Sequence, residues 1–237
     1  MLSIKNLTIQ ANEKEILTNV SVDFDINKVY AIMGVNGSGK SSLVKSIMGD
    51  PDLVVTNGSI TINTTEISKL KPNERARYGI FLSPQSPIAI PGVTVSQLLR
   101  AAIPRDKMSS KDLIKNINIA SEELKIPKGL LKRSLNENFS GGERKKMEVL
   151  QVAVLNPTYI ILDEIDTGVD IDALKVIAKF LKKLSQKDGV TLILITHYNR
   201  ILSYLPVDKV IVMKDGKITQ TGDAPLADKI EKEGYQK

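Results

Sequence analysis

Apolar and polar positions alternate, or run apolar for a few residues, over 2–10, 20–26, 29–33 and 59–63, with Asn, Glu, Lys and Gly between the runs, which predicts strands. Asn57-Gly58 reads as a tight turn leading into Ser59-Ile60-Thr61-Ile62. After Gly39 the spacing becomes helical to about Met48, where Gly49-Asp50-Pro51 ends it. Gly79-Ile80-Phe81-Leu82 reads as a short buried strand. From about residue 86 to 150 the pattern changes. Helical spacing and cap signals dominate there, such as Ser109-Ser110 ahead of Lys111 to Leu124, with Pro87, Pro91, Pro104 and Pro127 as breakers. Strands at 158–163, 190–195 and 207–213, a helix at 170–186 and a return at Lys217 to Gln220 complete the pattern. Strands alternating with helices predict an α/β fold around a mostly parallel sheet, residues 1–85 and 151–237, with a helical lobe inserted at 86–150.

Composition narrows the class. The chain has 237 residues, 42% hydrophobic and 25% charged, which suits one large domain or a domain with an inserted lobe. Its apolar runs are strand-sized, far short of the roughly 20 residues of a membrane span. Met1-Leu2-Ser3-Ile4-Lys5 enters directly into a strand pattern without a signal-like stretch, so a cytoplasmic location is expected. There is no cysteine and a single histidine, His197, which excludes disulfides and thiolate or His-cluster metal sites and leaves Mg²⁺ on oxygen ligands as the expected metal. The net charge is +6, but the lysines are scattered and aromatics are only 4%, so a solvated surface is expected rather than nucleic-acid binding.

Chemistry enters through glycines and carboxylates. Gly34-Val35-Asn36-Gly37-Ser38-Gly39-Lys40-Ser41 fits the phosphate-loop pattern between the apolar strand Val29 to Met33 and a helix. Its glycines let successive backbone N–H groups curl around phosphate oxygens at a helix N-terminus. Such a pattern arises by chance in about one chain of this length in a hundred. Gly34, Asn36, Gly37, Ser38, Gly39, Lys40, Ser41 and Ser42 are the expected phosphate contacts, Lys40 on the β- and γ-phosphates and Ser41 on Mg²⁺. Ile160-Ile161-Leu162-Asp163-Glu164 is an apolar strand ending in two carboxylates; Asp163 is expected to hold Mg²⁺ and Glu164 to polarise an attacking water. Phe139-Ser140-Gly141-Gly142-Glu143 opens the helix Arg144 to Leu155; Ser140 is a natural cap, and the two glycines leave bare N–H groups as a second anion site about a hundred residues after the first.

Together these motifs resemble the ATP-binding cassette (ABC) ATPases. The resemblance implies a P-loop core with an N-terminal antiparallel β subdomain and an inserted helical subdomain, binding ATP and Mg²⁺ and hydrolysing ATP. It makes Ser140 and Gly142 part of a signature motif that closes on the γ-phosphate held by a second copy, in an ATP-dependent head-to-tail dimer. It makes Gln85 a contact to Mg²⁺ and water, Thr167-Gly168-Val169-Asp170 a loop at the dimer contact, and His197 a switch residue on the γ-phosphate. Phe139 is expected to pack. No Phe, Tyr or Trp occurs between Met1 and Asp23, where many members carry an aromatic that stacks adenine, so ATP as the nucleotide comes from the resemblance.

Within the family the wording departs from transporter cassettes, which commonly read Leu-Ser-Gly-Gly-Gln and Asp-Glu-Pro-Thr-Ser-Ala-Leu-Asp. Here the corresponding stretches are Phe139 to Lys146 and Asp163-Glu164-Ile165-Asp166-Thr167-Gly168-Val169-Asp170-Ile171-Asp172. With Thr196-His197-Tyr198-Asn199-Arg200-Ile201-Leu202, Pro87 to Val93 and Ile230 to Tyr235, they closely resemble the ATPase branch of the Suf iron–sulfur cluster assembly machinery. That resemblance implies SufB- and SufD-type scaffold partners, on which the cluster thiolates would reside, since this chain has none. The alternative is the nucleotide-binding subunit of a membrane transporter. A DNA-repair cassette would need a long coiled-coil insertion, and no sustained heptad is present.

Overall fold

The computed structural model describes residues 1–197 and 199–235. It opens with strands β1 (Leu2–Ala11), β2 (Lys14–Phe24) and β3 (Val29–Met33), helix α1 (Lys40–Met48), strands β4 (Val54–Ile62) and β5 (Thr65–Glu66), helix α2 (Pro72–Arg77) and strand β6 (Ile80–Ser83). Helices α3 (Val95–Ala102), α4 (Ser110–Glu123) and α5 (Gly141–Leu155) follow. Strand β7 (Tyr159–Asp163), helix α6 (Ile171–Ser185), strand β8 (Thr191–Ile195), the short helix α7 (Asn199–Leu202), strands β9 (Lys209–Lys214) and β10 (Lys217–Gly222), and helix α8 (Pro225–Glu233) complete the described chain.

Two sheets form. One is antiparallel, in the order β2-β1-β4-β5; the other runs β10-β9-β3-β8-β7-β6, parallel except for the terminal β10–β9 pair. The α/β class is therefore as expected from the sequence. β3, β7 and β8 are buried at every position, which is why they read as continuous apolar runs. Their alternate residues feed two cores. Ala31, Leu162 and Leu194 face helices α3 to α6, while Ile32, Ile161 and Ile195 face α1 and the antiparallel sheet. No helix among the described residues is long and apolar enough to cross a membrane.

Two local readings need correction. β2 begins at Lys14, not near residue 20, because a two-residue turn at Asn12 and Glu13, both left-handed, pairs Ala11 with Lys14. A glutamate where glycine is usual hid that turn from the sequence. Asn57-Gly58 is no turn either; it lies inside β4, where Gly58 (φ 83°) sits opposite Asn6 and the β1–β4 register shifts. A side chain at 58 would overlap the Lys5 and Asn6 carbonyls, so the glycine serves a bulge, and the strand starts at Val54 instead of Ser59. In contrast, Ser109 caps α4 as expected, accepting a hydrogen bond from the Asp112 amide.

The far end of α1 is fixed by Arg75, a buried guanidinium that donates to the carbonyls of Ser46, Ile47, Ser68 and Leu70 at 2.6–2.9 Å. It adds a donor at the end of α1, where Ser46 also accepts from the Gly49 amide, and joins α1 to the segment after β5. Arg75→Met is expected to take this donor from the Ile47, Ser68 and Leu70 carbonyls, at a cost of about 2–4 kcal/mol, and to lower the Tm by roughly 5–15 °C. A thermal scan showing no loss would remove this role.

Candidate nucleotide site

Four neighbouring strands end at one edge of the parallel sheet, and each delivers part of the site. From β3, the chain turns through Gly34 to Gly39 into α1. A methyl group on Gly34 would overlap the Met213 carbonyl oxygen and lie 2.6 Å from Ser38 Oγ, so only glycine fits. Gly37 (φ 78°) and Gly39 (φ 99°) are left-handed, and Asn36 and Gly37 are exposed while Ser38 is buried. Ser41 and Ser42 lie half-buried in the first turn of α1. Lys40 Nζ donates to the carbonyls of Gly34 and Val35, both at 2.9 Å, so its ammonium already sits over the loop. Burial lowers its pKa, against the opposing pull of Glu164 and Asp163.

β7 ends in Asp163, which is almost fully buried. Burial pushes its pKa up, and the nearby Ser41 hydroxyl works against that rise. Asp163 Oδ1 is buried with no hydrogen-bond partner. A buried anionic oxygen without a partner, with a serine hydroxyl beside it, fits an oxygen-ligated divalent cation such as Mg²⁺.

Glu164 follows with a left-handed backbone (φ 51°), its amide bonded to the Ile195 carbonyl at the end of β8. That conformation aims its carboxylate into a cage. Gln85, two residues past β6, donates from Nε2 to Oε2 at 2.6 Å; Thr167 Oγ1 reaches the same oxygen at 3.3 Å; and His197 Nε2, just past β8, lies 2.9 Å from Oε1. Burial raises the Glu164 pKa, but the bonds from Gln85 and His197 outweigh it and hold the carboxyl below its ordinary range. Glu164 is therefore ionised at neutral pH and can only accept, so His197 carries its proton on Nε2. The three residues Gln85, Glu164 and His197, spread over more than a hundred positions, thus meet at one carboxylate.

Ser140 and Gly142 join none of these bonds. Ser140 caps α5 in a reciprocal box: its hydroxyl accepts from the Glu143 amide at 3.3 Å, and the Glu143 carboxylate accepts from the Ser140 amide at 2.7 Å. The helix accordingly begins at Gly141 rather than Arg144. A methyl group on Gly141 would overlap the Gly168 carbonyl oxygen, and one on Gly142 would press on Ala173, so the two glycines let the loop after Glu164 pack against the start of α5. Phe139 is buried, with the Arg133 guanidinium 5.3 Å from its ring centre. Tyr198 lies outside the described residues.

The sequence reading missed the burial of two charged residues here, Lys145 and Glu148 on α5, and the contact of a third, half-buried Asp166, which accepts from Thr196 Oγ1 at 2.7 Å. Burial raises the Asp166 pKa. The first two share the face of α5 with apolar Val152, and that i, i+3, i+7 spacing was the available signal.

A phosphate loop before a helix, an acidic strand end beside it and a second capped glycine turn on a parallel sheet define a P-loop nucleotide-binding cassette. The family model described as ABC transporter matches residues 17–167. The chain belongs to this family and is an ABC ATPase domain. It is 45% identical over 240 residues to a probable ABC transporter ATP-binding protein of Streptococcus pyogenes serotype M3, covering 99% of this chain and 93% of that one. A probable ATP-dependent transporter of Synechocystis is 44% identical over 242 residues, covering 99% and 94%. The dimeric structure of the bacterial ABC transporter cassette MJ0796 superposes with a TM-score of 0.82 at 23% identity, covering 94% of this chain and 99% of that one, a likeness of fold.

The cage makes a pH prediction. Because the folded Glu164 pKa lies below its unfolded value, its charge contributes stability above the unfolded pKa that disappears as pH falls through the folded one. In urea unfolding, the stability gap between the native protein and Glu164→Gln is therefore expected to be larger at pH 7 than near pH 3. An equal gap at both would mean that the charge is not held by these bonds.

Proposed function

We propose that this chain is a SufC-type ATPase, which binds and hydrolyses ATP with Mg²⁺, pairs with a second copy of itself, and drives rearrangement of SufB- and SufD-type scaffold proteins in the cytoplasm. The observation that carries the ATPase part is the convergence of Gln85 and His197 on Glu164, beside the phosphate loop. In this mechanism the N–H groups from Gly34 to Ser42 cradle the phosphates. Lys40 exchanges the Gly34 and Val35 carbonyls for β- and γ-phosphate oxygens. Ser41, Asp163 and Gln85 would hold Mg²⁺, which when bound would supply positive charge to offset that of the phosphates. Glu164 orients a water and draws its proton as the new oxygen–phosphorus bond forms and the bond to ADP breaks. His197 donates from Nε2 toward the γ-phosphate. For Glu164 to engage water, at least one of its oxygens must exchange its present partner for that water.

Ser140, Gly141 and Gly142 would close over the γ-phosphate held by the other copy, and a two-fold pair completes both sites together. The segment 86–150, carrying α3, α4 and most of α5, is the proposed docking lobe, set against a nucleotide-binding core of 1–85 and 151–237. The Suf assignment is supported by the residues in which the chain departs from transporter cassettes, because the fold uses them. Gly168 takes a left-handed φ of 71°, disfavoured for the alanine common there, and Asp166 bonds Thr196. A second reading, the motor subunit of a membrane transporter, is favoured by the names of the relatives.

Lys40→Ala is expected to abolish turnover. Glu164→Gln is expected to bind ATP, to hydrolyse it at least about 100-fold more slowly, and to accumulate as a dimer in light scattering; native-rate turnover would assign the water to another group. Ser140→Arg is expected to bind ATP as a monomer yet fail to pair, and ATP-driven pairing of this variant would overturn the trans-acting signature. Affinity capture from native extract, with iron and acid-labile sulfide assayed, separates the two readings. Soluble cysteine-bearing scaffold proteins support the first, and a multi-span membrane protein supports the second.

A further inference from the structure

The last strands and the last helix of the described chain brace the phosphate loop. The turn between β9 and β10 holds its middle. There the Gly216 amide donates to the Ser38 carbonyl at 3.1 Å, and the Gly216 carbonyl accepts from the Thr18 amide on β2 at 3.0 Å. The entry of the loop is held less completely. Val35 and Met213 meet Leu226 and Ile230 of α8 around a cavity of about 190 Å³, with Tyr235 as part of its wall.

α8 stops at Glu233 because Gly234 takes a left-handed φ of 74°, its amide donating back to the Ile230 carbonyl at 2.8 Å. A Cβ at 234 would meet nothing, so the glycine serves the backbone turn that delivers Tyr235 to the loop. The Tyr235 ring is half-buried against the apolar core, and its hydroxyl is buried without completing a hydrogen bond. The Gly34 amide faces that oxygen. Burial pushes the Tyr235 pKa up and this amide opposes the rise, although the bond between them is not made.

A buried hydroxyl with an unmade bond weakens the free protein, and phenylalanine would pack the same ring without that cost. Its neighbour gives the hydroxyl a use. Gly34 is also held at its carbonyl, because Lys40 donates to the Gly34 and Val35 carbonyls. Phosphate would draw the ammonium away and release the loop entry just as its shape begins to matter. We propose that Tyr235 is a positioning residue for nucleotide binding: as Lys40 leaves the loop carbonyls for phosphate, the Gly34 amide settles onto the Tyr235 hydroxyl oxygen and fixes the loop entry in its curled form. This rests on the phosphate-loop mechanism above and refines it, since the Gly34 amide goes to Tyr235 and the amides from Val35 onward serve the phosphates. Tyr235 touches no nucleotide in this scheme. A bond made only in the bound state adds to affinity and not to the stability of the free protein.

The test compares the native protein, Tyr235→Phe and Tyr235→Ala, reading Tm without nucleotide, the ADP and ATP dissociation constants by calorimetry, and kcat. Tyr235→Phe keeps the ring and drops the hydroxyl, so its nucleotide-free Tm is expected to stay level or rise. Its dissociation constants are expected to increase about 3- to 10-fold, the worth of one hydrogen bond, with kcat at saturating ATP within about twofold of native. Tyr235→Ala also removes the ring and is expected to lower Tm and affinity together. A Tyr235→Phe protein with native dissociation constants would overturn the positioning role, as would one whose affinity falls only in step with its Tm. Should Lys40→Ala bind nucleotide as tightly as the native protein, the phosphate-loop mechanism fails instead, and that control keeps the two failures distinguishable.

Discussion

The order of strands in the parallel sheet is the constraint on which the site depends. β3, β8, β7 and β6 lie side by side and point the same way, so their carboxyl ends form one edge. The phosphate loop, His197, the Asp163–Glu164 pair and Gln85 leave that edge in spatial order, although the chain visits them as first, fourth, third and second. Ligands of open α/β sheets gather outside such an edge because the strand ends there present main-chain groups and helix N-termini to one crevice. The apolar burial of β3, β7 and β8 on both faces makes the edge rigid enough to hold three side chains within hydrogen-bond reach of one carboxylate.

Burial and charge work against each other at this edge, and the outcome differs from residue to residue. Glu164 has enough donors to stay ionised despite its low exposure, whereas burial pushes Asp163 and Asp166 upward. Lys40 is shifted downward by the same desolvation. Oppositely charged ligands would reverse these penalties: phosphate oxygens for Lys40 and a divalent cation for Asp163. The apolar packing holds the groups, and their electrostatic completion comes from what binds.

Local chemistry was legible in the sequence wherever one short segment determines it. The strand–glycine–helix passage through Gly34 to Ser41, the Ser109 and Ser140 caps and the buried strand ending at Asp163 all follow from neighbouring residues alone. What escaped depends on distant partners. Gly58 looks like a turn residue until Asn6 is seen opposite it, and Glu13 does not look like a turn residue at all. Lys145 and Glu148 share a helix face with Val152, but their charges point to solvent until Ser83 and Gln85 are seen against them. The proximity of Gln85, Glu164 and His197 was implied by resemblance; their shared carboxylate emerges from the sheet order.

The backbone at Glu164 has a consequence for variation under selection. A left-handed φ of 51° is uncommon for glutamate, while asparagine and glycine adopt it readily. Asparagine would ease the backbone but shorten the arm and discard the charge, and glycine would remove the side chain altogether. Backbone ease and reach thus pull this position in opposite directions. A library of this chain sorted for heat resistance alone would weigh relief of the backbone against loss of the charge that Gln85 and His197 hold, and only a sort that also demanded turnover would insist on the glutamate.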